Sequence, residues 1–300
     1  MDTKILLENG TNELEILEFM IGDNSYGINV AKISEIIPYS PVTPVPNSHP
    51  SIEGIFMPRD KMITAVSLKN ALQLGESTPD GLFIITNFNK LDVAFHVDKV
   101  MGISRFSWKD IIKPDETINS QDDGISTGVI KLKDRLVIIL GFEKIVTDIS
   151  PETGLKVAEV SEFSERERSE ASILIAEDSH LLNKLISDAL STAGYVKQKR
   201  TENGLEAWNY INKCLAEGTV DKYIDCVITD IEMPQMDGHR LTKLIKSDDR
   251  LKHIPVVIFS SLVNEEMRRK GESLGADAQL SKPEIGRLVE EIDKLLSYQG

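Results

Sequence analysis

Cysteine is nearly absent from this sequence. Cys214 and Cys226 are the two in a chain of 300 residues, too few for a disulfide framework or a thiolate metal cluster. Cys226 lies in an apolar run and reads as a small buried hydrophobe. The five histidines are scattered and none has metal-ligand spacing with a partner. His180 stands beside an acidic pair but reads as a solvated first-turn residue. Long apolar runs are also missing. None approaches the ~20 residues that span a bilayer. The short patch Ile5-Leu6-Leu7 has neither the basic flank nor the cleavage site of a secretory signal. The expectation is a cytoplasmic protein with no direct membrane insertion, in which the sequon Asn9-Gly10-Thr11 is a coincidence. Positive charge is scarce: 34 Lys and Arg face 48 Asp and Glu, for a net charge of −14. Phosphate contacts need a basic surface, so nucleic acid is excluded as a partner.

What is present suits a soluble two-domain protein. The first half holds short apolar segments broken by turn residues, at 14–21, 54–57, 62–68, 82–86, 91–97, 128–132 and 136–140. Three pairs are joined tightly, through Pro58-Arg59-Asp60-Lys61, Asn87-Phe88-Asn89-Lys90 and Lys133-Asp134-Arg135, and these read as hairpins. Five prolines between Pro38 and Pro50 demand an irregular or edge segment. The pattern predicts an all-β half made of one or two antiparallel barrels. Trp108 and, in the second half, Trp208 read as packing residues. The first half has no Gly-rich phosphate loop, His/Cys cluster or nucleophile elbow, so no enzymatic output is read there.

Residues 151–170 carry glutamates interleaved with arginines and read as an acidic linker or a solvated helix. The periodicity then changes. Five βα units are predicted, with strands at 172–176, 195–200, 225–229, 254–260 and 276–281, and helices after each. In the first of these helices Leu181, Leu182, Leu185, Ile186, Ala189 and Leu190 mark the inner face. Alternating units imply a doubly wound α/β sheet whose ligands bind at the carboxyl ends of the strands. The expected division is therefore 1–150, 151–170 and 171–300.

Those strand ends carry chemistry. Strand one ends in Glu177-Asp178, strand three in Asp230, strand four in Ser260 and strand five in Lys282. Crowded carboxylates repel one another, and a hard cation such as Mg²⁺ relieves the repulsion. Asp230 can act as nucleophile and form an acyl phosphate. The metal and Lys282 can neutralise the phosphoryl oxygens, Ser260 can hydrogen-bond one of them, and the backbone carbonyl of Glu232 can complete the metal shell.

In the second half the acidic pair, the segment Asp230-Ile231-Glu232-Met233-Pro234-Gln235-Met236-Asp237-Gly238, Ser260 and Lys282-Pro283 resemble the motifs of response-regulator receiver domains. The resemblance implies a flavodoxin-like (βα)5 fold and phosphorylation on Asp230. It also implies that Asp178 binds the metal directly while Glu177 acts through water. Two positions depart from the family. Gln279 and Glu284 stand where aromatic residues are usual, and the aromatic counterpart of Gln279 is the family's rotamer switch. A buried amide there leaves polar atoms needing partners, at ~1–3 kcal/mol if unmet. Residues 15–147 resemble the CheW-type coupling domain, through Phe19–Asp23, Tyr26-Gly27-Ile28, the segment at 30–37, Val42-Thr43-Pro44-Val45-Pro46 and Ile52-Glu53-Gly54-Ile55. That likeness implies a double SH3-like β-barrel bridging the cytoplasmic tips of chemoreceptors to a CheA-type histidine kinase. Arg59 alone is kept from the family's N-L-R-G turn, and reads either as a partner contact or as an exposed hairpin charge. Ile33 and Glu35 match a receptor-facing stretch, with a core or edge role open for Ile33. Coupling domain followed by receiver is the arrangement of the CheV family. The resemblance implies a non-enzymatic chemotaxis adaptor, associated with membrane receptor arrays and regulated by phosphorylation. Two rival readings stand beside it. One is a phosphate sink draining the kinase. The other is an aspartyl-phosphate hydrolase, which needs an Asp where this chain has Glu232.

Overall fold

A computed structural model describes residues 13–88, 91–112, 125–150, 167–262, 265–282 and 284–297. They form two compact units. The first contains β1 (Glu13–Ile21), β2 (Asn24–Asn29), β3 (Ile33–Pro38), β4 (Ile52–Phe56), β5 (Ile63–Ser67), α1 (Leu68–Ala71), β6 (Leu82–Phe88), β7 (Leu91–Val97), β8 (Lys99–Ser107), β9 (Ile111–Ile112), β10 (Ser126–Lys131), β11 (Leu136–Leu140) and α2 (Phe142–Ile149). The strands make two sheets, ordered β8-β1-β2-β11-β10-β9 and β3-β6-β7-β5-β4. Pairing is antiparallel except between β2 and β11 and between β5 and β7.

Strands β1, β2, β5 and β7 are buried on both faces, which makes their apolar runs continuous rather than alternating. In β1, Leu14 and Ile16 enter one small core with Trp108 and Val137. Leu17, Phe19 and Ile21 point the other way, into a central cluster with Ile84, Phe95 and Phe142. In β6, Phe83 and Ile85 fill the core of the second sheet, while Ile84 joins the central cluster. Each sheet thus wraps its own core, and the backs of both share a third, closed by α2. Of the one or two barrels that the β pattern allows, this is the double-barrel arrangement that the resemblance to the CheW-type domain implies.

Strand β8 was not among the predicted strands. It is a sheet edge held by β1 alone, with Met101, Gly102, Ile103, Ser104 and Arg105 exposed, so it carries no periodic inward face. The proline-rich stretch behaves as expected: Pro38 ends the edge strand β3, and between it and β4 the chain is irregular apart from a bridge between Thr43 and Ile55. The hairpins at Pro58–Lys61 and Lys133–Arg135 are present. β6 and β7 pair up to Phe88 and Leu91, with Asn89 and Lys90 outside the described residues.

The second unit contains β12 (Ser169–Ala176), α3 (His180–Thr192), β13 (Tyr195–Thr201), α4 (Gly204–Glu217), α5 (Val220–Tyr223), β14 (Cys226–Thr229), α6 (Gly238–Ser247), β15 (Val256–Ser260), α7 (Glu265–Ser273), β16 (Ala278–Ser281) and α8 (Ile285–Ser297). All its strand pairs are parallel, in the order β13-β12-β14-β15-β16. One face packs on α3 and α8, the other on α4 and α6. The five predicted βα units are there, and the single turn α5 is an addition to them. Cys226 is fully buried and its thiol is pushed up to about 12 by that burial. Trp108 and Trp208 both pack against cores. The glutamates and arginines at 151–166 lie outside the described residues.

A buried histidine in the first unit generates a pH prediction. His96 on β7 is 4% exposed. Its Nδ1 lies 2.8 Å from Glu53 Oε1 and its Nε2 2.5 Å from the Asp80 carbonyl oxygen. A carboxylate and a carbonyl both accept, so the ring donates from both nitrogens and is cationic. Burial alone pulls its pKa down, but Glu53, the Asp80 carbonyl and the nearby Asp98 carboxylate hold it above the ordinary histidine value. A raised folded pKa means the stabilisation is complete below the unfolded value of about 6.5 and is lost as pH rises through the folded value. The melting transition of this unit should therefore fall as pH is raised above about 6.5. His96→Leu should remove that slope and cost about 1–3 kcal/mol by leaving Glu53 without its donor, as read by thermal denaturation across a pH series.

Candidate functional site

The strand order puts the topological switch between β12 and β14, and the crevice there opens at the carboxyl ends of the strands. The helices that follow β12, β13 and β14 each start with a side-chain cap. Ser179 accepts from the Leu182 N–H at 3.3 Å, Asn203 from the Glu206 N–H at 2.9 Å and Asp237 from the Arg240 N–H at 2.7 Å. The loops before α3 and α4 are short, the one before α6 runs from 230 to 237, and each is anchored at its helix end by the cap.

The predicted residues meet there. Asp230, Glu177, Lys282 and Ser260 are buried and Asp178 is half-buried. Lys282 Nζ lies 2.7 Å from Asp230 Oδ2 and 2.9 Å from Glu177 Oε2. The other oxygen of Asp230 accepts from the Ile231 N–H at 2.6 Å, and Glu177 Oε1 accepts from the Ser179 N–H at 3.2 Å. One oxygen from each of Glu177, Asp178 and Asp230 lies within 4.8 Å of the others. Three carboxylates against one ammonium leave an excess of negative charge in a dry place. Burial pushes the Glu177 carboxyl above the ordinary carboxylate range, against the pull of Lys282, with Asp230 and Asp178 adding to the rise. Burial disfavours the Lys282 charge, yet Asp230 and Glu177 together hold its pKa above the ordinary lysine value. Clustered oxygen donors and uncompensated charge are the chemistry of a hard-cation site.

Ser260 Oγ accepts from the Leu262 N–H at 3.2 Å, at the end of β15. Glu232 lies two residues past Asp230, in the loop between β14 and α6. Gly238 lets α6 start against the acidic strand end: a Cβ there would stand 1.8 Å from the Asp230 carbonyl oxygen. Met233 and Met236 are buried and fasten the intervening loop to the core under α4 and α6. His180 is exposed, as expected, 3.8 Å from Glu202.

One expectation changes. Leu181 is not on the inner face of α3; it is exposed, and Asn183 is buried in line with Ile186 and Leu190. The reason is hydrogen bonding: Asn183 Nδ2 donates to the carbonyls of Glu177 at 3.0 Å and Thr201 at 3.1 Å. A purely apolar template cannot find such a residue. An asparagine at helical spacing from Ile186 and Leu190, just after an acidic strand end, is the signal that was there to read. Gln279 is half-buried and its amide has a partner. Its Nε2 donates to the Arg268 carbonyl at 2.7 Å, and the amide lies against Gly271, where a Cβ would meet it at 2.4 Å.

In the first unit, Arg59 and Glu35 form an ion pair at 2.9 Å. Arg59 is exposed, on a turn where its φ is 51°. Ile33 packs against the central cluster.

The close approach at Gly238 has a direct consequence. Gly238→Ala must displace either α6 or the backbone of Asp230. It should destabilise this unit by about 3 kcal/mol or more, seen as a lowered urea midpoint for its unfolding transition.

Comparison with known proteins places both units. The family model described as the CheW-like domain matches residues 15–150, and that of the response regulator receiver domain matches residues 173–293. Chemotaxis protein CheV3 of Helicobacter pylori is 29% identical over 303 residues, covering 95% of this chain and 95% of its own length. CheV2 of the same organism is 29% identical over 308 residues, covering 95% of this chain and 96% of its own length. The polar-differentiation response regulator DivK of Brucella anthropi is 35% identical over 129 residues, covering 42% of this chain and 95% of its own length. The crystal structure of the scaffolding protein TtCheW from Thermoanaerobacter tengcongensis superimposes with a TM-score of 0.41 at 23% identity, over 44% of this chain and 86% of that one. With both domains present in this order, and relatives matched along nearly the whole length, the chain belongs to the CheV-type chemotaxis proteins, a CheW-like domain followed by a response-regulator receiver.

Proposed function

We propose that this chemotaxis adaptor is regulated at Asp230, which accepts a phosphoryl group from a CheA-type histidine kinase. The observation that carries the reading is the convergence of Lys282 on Asp230 at 2.7 Å, beside the oxygens of Glu177 and Asp178. An Asp230 carboxylate oxygen attacks the phosphorus of a phosphohistidine, the P–N bond breaks, and the imidazole departs with the electron pair. Glu177, Asp178, Asp230 and the backbone carbonyl of Glu232 are the groups that would hold Mg²⁺. When bound, the ion neutralises charge on the phosphoryl oxygens. Lys282 offers its ammonium to the same oxygens, and Ser260 can turn its hydroxyl from Leu262 to one of them.

The domain division that goes with this reading is a coupling domain at 1–150, an acidic linker at 151–170 and the receiver at 171–300. The coupling domain contacts the kinase and the cytoplasmic tips of chemoreceptors, with Arg59, Ile33 and Glu35 as candidate contacts. The protein works in the cytoplasm at membrane receptor arrays, as an adaptor and not an enzyme. The net charge of −14 supports a partner other than nucleic acid. No helix among the described residues is long and apolar enough to cross a membrane. Similarity to the CheV proteins runs through the coupling domain as well as the receiver, which favours the adaptor over a phosphate sink.

Incubation with a phosphorylated histidine kinase and Mg²⁺ should label the wild-type chain and leave Asp230→Asn unlabelled. Label that survives Asp230→Asn, or excess chelator, would sink the assignment. In a reconstituted receptor–kinase assay, Asp230→Ala should retain coupling; loss of the whole effect would mean a sink. The two acidic neighbours should differ. Glu177 already engages Lys282 and the Ser179 N–H, whereas Asp178 is half-buried at the mouth of the cluster. Asp178→Ala should abolish Mg²⁺ binding in a calorimetric titration, and Glu177→Gln should only weaken it.

A further inference from the structure

We infer that Asn183 is a positioning residue for the metal-binding loop of the receiver. The inference rests on the proposed metal-assisted phosphorylation of Asp230 and extends it to a residue outside the acidic cluster. Asn183 is 7% exposed, on the first turns of α3. Its amide makes two donations, to the Glu177 carbonyl at 3.0 Å and to the Thr201 carbonyl at 3.1 Å. Thr201 ends β13, and its carbonyl also accepts from the Glu177 N–H at 3.1 Å. One amide group therefore ties the backbone between Glu177 and Asp178 to the neighbouring strand and to the helix that follows.

The tie matters because of where Glu177 sits. Its carbonyl is the last backbone acceptor before Asp178, so the Glu177–Asp178 peptide sets the direction of both carboxylates. A hard cation needs its oxygen ligands at a near-fixed radius, so small movements of that peptide misplace them. The partners of ligating groups hold ligands in place, and their loss typically costs 10–100-fold in metal affinity. Asn183 also keeps a buried amide oxygen, Oδ1, without a hydrogen-bond partner. A residue placed only for packing would more cheaply be apolar at this position, since an unmet buried acceptor is costly. The two donations are what retain it.

The test uses the full-length chain and Mg²⁺ alone as the probe, by isothermal titration. Asn183→Leu keeps the bulk and removes both donors. It should weaken Mg²⁺ binding about 10–100-fold. At saturating Mg²⁺, labelling of Asp230 by a small-molecule acyl phosphate should return to near the wild-type rate. Ile292→Val, in the core beneath α8 and away from the strand ends, is the stability control. It should lower the receiver's melting midpoint and leave Mg²⁺ affinity unchanged. An Asn183→Leu affinity within about twofold of wild type, or an equal loss in Ile292→Val, overturns the positioning role. A failure of the wild-type chain to bind Mg²⁺ overturns instead the reading on which it rests.

Discussion

The contact on which the receiver's site depends is that of Lys282 with Asp230 and Glu177. Three charged groups are taken out of water together, and each such burial costs several kcal/mol before pairing offsets it. Removing the lysine would leave two carboxylates facing each other in the dry end of a sheet. The ammonium offsets one of the negative charges in the cluster and leaves the rest uncompensated. That remainder is what makes the place receptive to a cation and to the transfer of a charged group.

Holding such a cluster requires a stiff backbone, and the means are local. Side-chain caps start α3, α4 and α6 at the carboxyl end of the sheet. Gly238 lets α6 approach the Asp230 carbonyl more closely than any side chain would permit. Asn183 fastens the acidic loop from the helix side. Further along the sheet, Gln279 joins β16 to α7 through the Arg268 carbonyl and the bare backbone of Gly271. Gly271 is the one buried residue of α7, and the Gln279 amide is seated on it. A glutamine in this place acts through a hydrogen bond to the helix backbone, where an aromatic ring would act through its bulk.

The coupling unit is built on another constraint. Its inner strands are apolar on both faces because each sheet must close its own core and also share a central one with its neighbour. Such a frame leaves edges, hairpins and irregular segments as the places where partners can be met. The Arg59–Glu35 pair lies there, at a turn held in the left-handed backbone region. As a surface ion pair it adds little stability.

Much of this was legible in the residues alone. The βα alternation, the place of Glu177, Asp178, Asp230, Ser260 and Lys282 at strand ends, and the glycine after Met236-Asp237 all follow from local periodicity and spacing. These are properties of short segments, and short segments carry their own signal. The β-rich nature of the first half and its prolines were readable for the same reason. Tertiary structure decided the rest. Strand β8 is a strand because β1 pairs with it, not because of a pattern of its own. Asn183 displaces Leu181 from the inner face because two carbonyls, brought in by separate strand ends, need its amide. Glu35 on β3 meets Arg59 on the turn between β4 and β5, His96 becomes cationic because Glu53 and Asp80 bracket it, and Gln279 finds a partner on α7. Each of these depends on atoms distant in the chain, and no local pattern encodes which distant atoms will arrive.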